Sequence, residues 1–372
     1  MVSYLSRMRG GAGAVTALLL AGVALSACGS SSSSPTTATT AAGTGTNTTG
    51  AATTTAGSGK TVNIAYLLAT EAAGYPLGMK AAAEAVAPQY HANIQFFDAQ
   101  FNPATQVSQC EDAITKGTFQ AIVALPAASP PMTVCARLAQ QHHIPLIATN
   151  TPIGDNLSQT APTVPGVTSQ VLVPATTFFG PNATDGSGQL LPAMCHAASG
   201  HKCRLAVIIG NPALALTAPV EKTVNELATK YGWQVVGFCT GNYQRQGGAT
   251  CMQDFLQKAP TLNSVMSLSD DMAQGATQVL ERAGKVLGKD VVIGTQGGSY
   301  EGVPLIRQGK WFGSILSLAK PEGAIPVKLA VEAANGQKIP NAVDPNSEDH
   351  LPLVFDQINK NQYPDFQGYF HG

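Results

Sequence analysis

VNIAYLLATEAAGYPLGMKAAAEAVA, residues Val62–Ala87, sets the fold. It opens on a largely apolar run, Val62 to Leu68, of strand length and β-favouring composition. A small polar break follows, Ala69 to Gly74. Pro76 to Ala87 is alanine-rich and reads as a helix. Strand, tight loop and helix make the first half of a βαβ unit. In open α/β sheets the ligand sits at the carboxyl ends of such strands. That places Thr70, Glu71 and Tyr75 at a binding site.

The same rhythm continues downstream. Strands are expected at 94–98, 120–125 and 144–149, with helices at 104–116 and 132–142 between them. Residues 150–185 break the pattern with Thr, Pro and Gly around one apolar run, Val171–Phe179. Strands then recur at 204–210, 234–237, 264–268, 289–294 and 313–318. Helices are expected at 188–198, 219–231, 249–258, 272–283, 299–308 and 321–335. Two α/β halves of similar layout follow, each a doubly wound parallel sheet.

The 372 residues suffice for two well-filled cores. A formal net charge of -1 with 12% charged residues offers no basic field for nucleic acid. Arg7 and Arg9, an apolar Ala14–Leu25 and then Leu25-Ser26-Ala27-Cys28 read as a secretory signal. Its last four residues resemble a bacterial lipobox, which implies a lipidated Cys28 and a membrane anchor. Residues 29–59 contain only Gly, Ser, Pro, Thr, Ala and Asn, a tether with nothing to bury. Its reach is roughly 30 Å. The tether's end, Gly57-Ser58-Gly59-Lys60-Thr61, imitates a phosphate-binding loop. Thr54 stands where that motif needs Gly, and the stretch precedes the first strand rather than following one.

Several segments together resemble the ribose-binding-protein-like family, the type 1 or cluster B periplasmic binding proteins of sugar ABC transporters. They are Asp98-Ala99-Gln100-Phe101-Asn102-Pro103, Thr115-Lys116-Gly117, Ile144-Pro145-Leu146-Ile147, Ser269-Asp270-Asp271-Met272-Ala273 and Val292-Ile293-Gly294. The resemblance spans about Thr61 to Asn335. It implies two Rossmann-like lobes joined by a three-segment hinge, with ligand clamped in the cleft and the closed form read by a membrane permease. Lobe 1 would be 61–178 with 319–344, and lobe 2 would be 179–318 with 345–372, after the signal (1–28) and tether (29–60). The implied protein is a monomer without cofactor or metal.

Departures from the family pattern bear on the ligand. Ala73-Gly74-Tyr75-Pro76 stands where sugar binders carry Asn-Pro and two aromatics. Asn150-Thr151 replaces their Asp-Arg pair, Ser269 an Asn, and Gln296 an Asp. The family's Arg has no clear counterpart near Ala218. Gly241-Asn242-Tyr243-Gln244-Arg245 resembles the lobe-2 loop that presents an aromatic. Thr70, Glu71, Tyr75, Asn150, Thr151, Tyr243, Arg245, Ser269, Asp270, Gln296 and Ser317 are therefore the candidate ligand residues, with Tyr75 opposite Tyr243. Arg245 could clamp a carboxylate or pair within its own loop. Charged planar groups suit many hydroxyls; their replacement points to a less polar or smaller-featured ligand, a modified sugar, a polyol or an aromatic.

Six further cysteines in an exported chain read as three disulfides. Local spacing favours Cys195–Cys203 and Cys239–Cys251, leaving Cys110–Cys135. His142 and His143 read as a helix C-terminus. Adjacent Asp270 and Asp271 point apart on a helix, so they read as a cap rather than an acid pair. A sensor signalling to a membrane receptor shares all these features. A secreted enzyme should show a nucleophile with its base or a metal set, and neither G-x-S-x-G nor H-E-x-x-H occurs.

Overall fold

The computed structural model describes residues 60–155, 164–167, 170–174, 181–198, 202–212 and 217–372. The signal, Cys28, the tether and the end of the Val171–Phe179 run lie outside the described residues.

In the first lobe, strands β1 (Val62–Leu68), β2 (Ala92–Asp98), β3 (Ala121–Ala124), β4 (Leu146–Asn150) and β5 (Gln170–Pro174) form one sheet. Its order is β2-β1-β3-β4-β5, and every pairing is parallel. Helices α1 (Gly74–Val86), α2 (Pro103–Thr115) and α3 (Thr133–Gln141) link the strands. The run VNIAYLL reads as continuous apolar sequence because β1 is covered on both faces. Val62, Ile64, Tyr66 and Leu68 pack towards α1, while Ala65 and Leu67 pack with Cys110 of α2 and Cys135 of α3.

The second lobe carries helices α4 (Gly186–Ala197), α5 (Ala218–Tyr231), α6 (Arg245–Lys258), α7 (Asp270–Arg282) and α8 (Gly302–Arg307). Its strands are β6 (Arg204–Ile209), β7 (Gln234–Thr240), β8 (Ser264–Ser267), β9 (Val292–Gly297) and β10 (Gly313–Leu316). The chain then returns to the first lobe as α9 (Ala319–Ala334), whose Val327, Leu329 and Ala330 cover the α1 face of the first sheet. Residues 341–343 follow the edge of β5 through Leu172. Strand β11 (Val354–Asp356) finally joins β10 antiparallel, giving the order β11-β10-β9-β8-β6-β7.

Three differences from the sequence reading have local causes. Helix α6 begins at Arg245, not Ala249, and runs through Gly247 and Gly248. A side chain at Gly248 would strike the Met272 carbonyl oxygen at 2.1 Å, so these glycines are packing surface rather than helix breakers. Strand β9 starts at Val292 rather than Lys289, because Asp290 accepts from the Val286 amide and closes a turn there. Strand β11, at three residues, is too short to carry a periodic signal in the sequence.

The described disulfides are Cys110–Cys135, Cys195–Cys203 and Cys239–Cys251. The first joins α2 to α3. The second clips α4 to the start of β6. The third staples β7 to α6 around the loop that carries Tyr243.

Candidate functional site

Each sheet reverses its strand order once, between β1 and β3 in one lobe and between β6 and β8 in the other. Such reversals open a crevice at the strand carboxyl ends. The two crevices face each other across a cavity of about 80 Å³. Ala69, Leu125 and Pro126 line it from the first lobe, and Leu268, Gln296 and Gly297 from the second.

Four rings wall the cavity: Tyr75, Phe101, Tyr243 and Phe370. Phe101 and Tyr243 stack across the interlobe cleft, centroids 5.8 Å apart and planes at 26°. Tyr75 and Phe370 meet edge to face at 5.9 Å. Phe101 and Tyr243 occupy equivalent turns, after β2 and after β7. Each is the second of two residues with positive φ: Gln100 (52°) and Phe101 (56°), Asn242 (53°) and Tyr243 (59°). Left-handed backbone at non-glycine residues is strained and collects at ligand sites.

The floor of the cavity is polar but internally bonded. Glu322, on α9 and fully buried, accepts hydrogen bonds from the Tyr75 hydroxyl and from Asn150 Nδ2. Thr151 Oγ1 donates to Asn150 Oδ1, at 3.1 Å. Part of the Tyr75 ring borders the cavity while its hydroxyl lies deep. That burial, then the nearby Glu322 carboxylate, holds its pKa well above the ordinary phenol value. Burial likewise raises the pKa of Tyr243, whose hydroxyl lies 3.3 Å from Thr217 Oγ1.

Asp270 lines the cavity, yet its oxygens are committed. They accept from Thr295 Oγ1 at 2.6 Å and from the amides of Gly298 and Ser299 at 2.9 and 2.8 Å. Burial pushes its pKa up, and these donors pull the other way. The carboxylate fills space that side chains at Gly297 and Gly302 would need. Asp270 thus ties α7 to the loop after β9. Ser269 caps α7 by accepting from the Met272 amide at 3.1 Å. Asp271 accepts from the Gly74 amide across the cleft at 3.4 Å; burial raises its pKa. Among the described residues, the side chains of Gln296 and Ser317 face the cavity with no protein partner.

Three candidates fall outside the cavity lining. Thr70 is buried in its own turn, where Oγ1 accepts from the Ala72 amide. The same turn sends Glu71 outward to Lys80 Nζ, at 2.9 Å. Arg245 Nη2 donates to the Gly372 carbonyl at 2.8 Å, and its charge lies close enough to Asp271 to favour that carboxylate. Tyr75, Asn150, Thr151, Tyr243, Ser269, Asp270, Gln296 and Ser317 do line the cavity. Phe101, Glu322 and Phe370 went unread. Phe101 lay in plain view, since Gln100-Phe101-Asn102 and Asn242-Tyr243-Gln244 are the same strand-to-helix turn. Glu322 and Phe370 carry no local signal; only the return of α9 and of the last residues brings them in.

A family model described as a periplasmic binding protein domain matches residues 64–338. The chain belongs to that family. A putative rhizopine-binding protein of Rhizobium meliloti is 25% identical over 279 residues, which are 74% of this chain and 82% of that one. The ribose import binding protein RbsB of Escherichia coli is 22% identical over 276 residues, 74% and 86% of the two chains. Among solved structures, a Mycobacterium smegmatis protein in complex with β-D-fucofuranose aligns with TM-score 0.68 at 20% identity, covering 82% of this chain and 95% of that one. A Bacillus halodurans solute-binding protein with bound myo-inositol aligns at 0.67 and 20%, covering 82% and 98%. These structures share the two-lobed fold. The ring-lined cavity of this family member lies at the paired switch points of its two sheets.

Proposed function

We propose that the chain is an extracytoplasmic solute-binding lipoprotein. It captures a small neutral molecule, a sugar or a less polar sugar-like compound, by closure of the two lobes, and passes it to an ABC permease. The observation that carries this reading is a cavity walled by rings from both lobes whose uncommitted hydrogen-bonding side chains, Gln296 and Ser317, are neutral. Aromatic faces suit the C–H surface of a polyol or sugar ring. The relatives support the class: their names refer to rhizopine and ribose, and the aligned structures hold fucofuranose and myo-inositol. Neutral Asn150 and Thr151, bonded to Glu322 and to each other, stand in the place of a hydroxyl-clamping Asp-Arg pair, which favours a ligand with fewer hydroxyls than a free hexose. Anchoring through Cys28 belongs to the same proposal, resting on the lipobox-like Leu25–Cys28. Among the described residues no helix is long and apolar enough to cross a membrane.

Calorimetry and thermal-shift titration of the purified protein with pentoses, hexoses, inositols and methylated or deoxy sugars test the reading. A saturable rise in melting temperature is expected for the less polar members, since a ligand that binds only the folded state stabilises it. Tight binding of an unmodified hexose would overturn the inference about polarity. No binding of any neutral polyol, beside tight binding of a charged solute, would overturn the class.

A further inference from the structure

We propose that residues 369–372 form a latch, an arm of the second lobe whose Phe370 ring docks into the first lobe and holds the cleft closed. The proposal rests on reading the cleft as the ligand site.

The arm's backbone belongs to the second lobe. The Tyr369 amide donates to the Gly298 carbonyl at 3.0 Å, and the Phe370 carbonyl accepts from the Tyr300 amide at 2.8 Å. The Gly372 amide donates to Glu301 Oε2 at 2.9 Å. The Gly372 carbonyl accepts from Arg245 Nη2 and from Gln274 Nε2, at 2.8 and 2.7 Å. Upstream, the Arg307 guanidinium holds the carbonyls of Tyr363 and Phe366 at 2.8 and 2.7 Å, so the approach to the arm is fixed to the same lobe.

The side chain of Phe370 goes the other way. It is buried in an apolar cluster with Ala69, Met79, Leu125, Ala127 and Ala319, all residues of the first lobe. The seat is shaped by missing side chains. A Cβ at Gly78 of α1 would meet Phe370 Cβ at 2.5 Å, and one at Gly74 would meet the His371 carbonyl oxygen at 1.9 Å. Polar bonds on one lobe and apolar docking on the other make the arm travel with the second lobe. Opening the hinge must pull the ring from its seat, so closure has a contribution that needs no ligand. Because Phe370 also walls the cavity, a bound solute leaves only after the ring does.

Interspin distances test this. Spin labels at E84C on the first lobe and K258C on the second are read by double electron–electron resonance, in a soluble C28S background that lacks the one cysteine outside the three disulfides. The unliganded protein is expected to populate mainly a short, closed distance. F370A and, independently, G78A, which adds a methyl under the ring on a different element, are expected to move the population to longer distance. Wild-type distributions in both variants, or an unliganded wild type wholly at the long distance, overturn the latch. The outcome is separable from that of the binding reading: distances that respond as expected while no solute binds sink the latter alone, and a bound solute with unresponsive distances sinks only the latch.

Discussion

At the scale of single residues the cavity is organised around carboxylates, Glu322 and Asp270, whose oxygens are taken up by protein donors. Glu322 receives Tyr75 and Asn150 from above, so it sets the angle of one ring and of the Asn150 amide. Y75F removes a donor from a buried acceptor of charged character. It is expected to cost about 1.5–3 kcal/mol in chemical denaturation, although the ring itself remains. Asp270 supplies a pH test. Its native pKa lies above the ordinary 3.8, chiefly because it is buried. A raised folded-state pKa means that the native state holds the proton longer than the unfolded chain. Its contribution to stability is then full below 3.8 and is lost as pH rises through the raised value. Melting temperature plotted against pH is expected to fall across that window more steeply in wild type than in D270N; parallel curves would remove Asp270 as the source.

Between elements, glycines set the closest approaches. Helices α6 and α7 touch at Gly248 and Gly275, and a Cβ at Gly275 would lie 1.9 Å from the Arg245 carbonyl oxygen. G275A should therefore cost about 1–3 kcal/mol by overpacking, outweighing the gain in helix propensity, and denaturant midpoints will report it. By contrast Asn102, which caps α2 by accepting from the amides of Ala104 and Thr105, sits on the surface. N102A should cost about 1 kcal/mol and leave ligand affinity unchanged. Both sheets, their strand–helix alternation and the Phe101 and Tyr243 turns were legible in the sequence, because apolar runs of strand length and turn residues are local signals. Helix starts were less legible. Gly247 and Gly248 look like breakers in isolation, and only the neighbouring α7 explains them. Thr70 and Glu71 misled for a related reason. Standing at the end of β1 does not fix direction, and the Thr70 turn buries one side chain and sends the other to Lys80.

At the scale of the whole molecule, each of the three described disulfides lies within one lobe, so none of these three restrains the hinge. Replacing Cys110 and Cys135 with alanine opens a loop of sequence separation 25 and is expected to lower stability by about 3 kcal/mol. Solute affinity should change little, since the lesion lies in the α2–α3 layer, away from the cavity. Equilibrium unfolding beside calorimetric titration separates the two effects. The parts of the site that escaped the sequence are those assembled at this scale. Glu322 and Phe370 stand far along the chain from the β1 loop they serve, and no window of neighbouring residues records that meeting.

The return of α9 to the first lobe and of β11 to the second also bears on how the protein is made. A ribosome delivers the chain from its amino end. The face of the first sheet that α1 shares stays only partly covered until residues 319–334 have emerged, and the second sheet lacks its last strand until 354–356. Neither half can finish its core early, and pairings between distant parts of a chain form slowly in any case. Both cores are therefore completed only near the end of synthesis, whatever part of each has formed before.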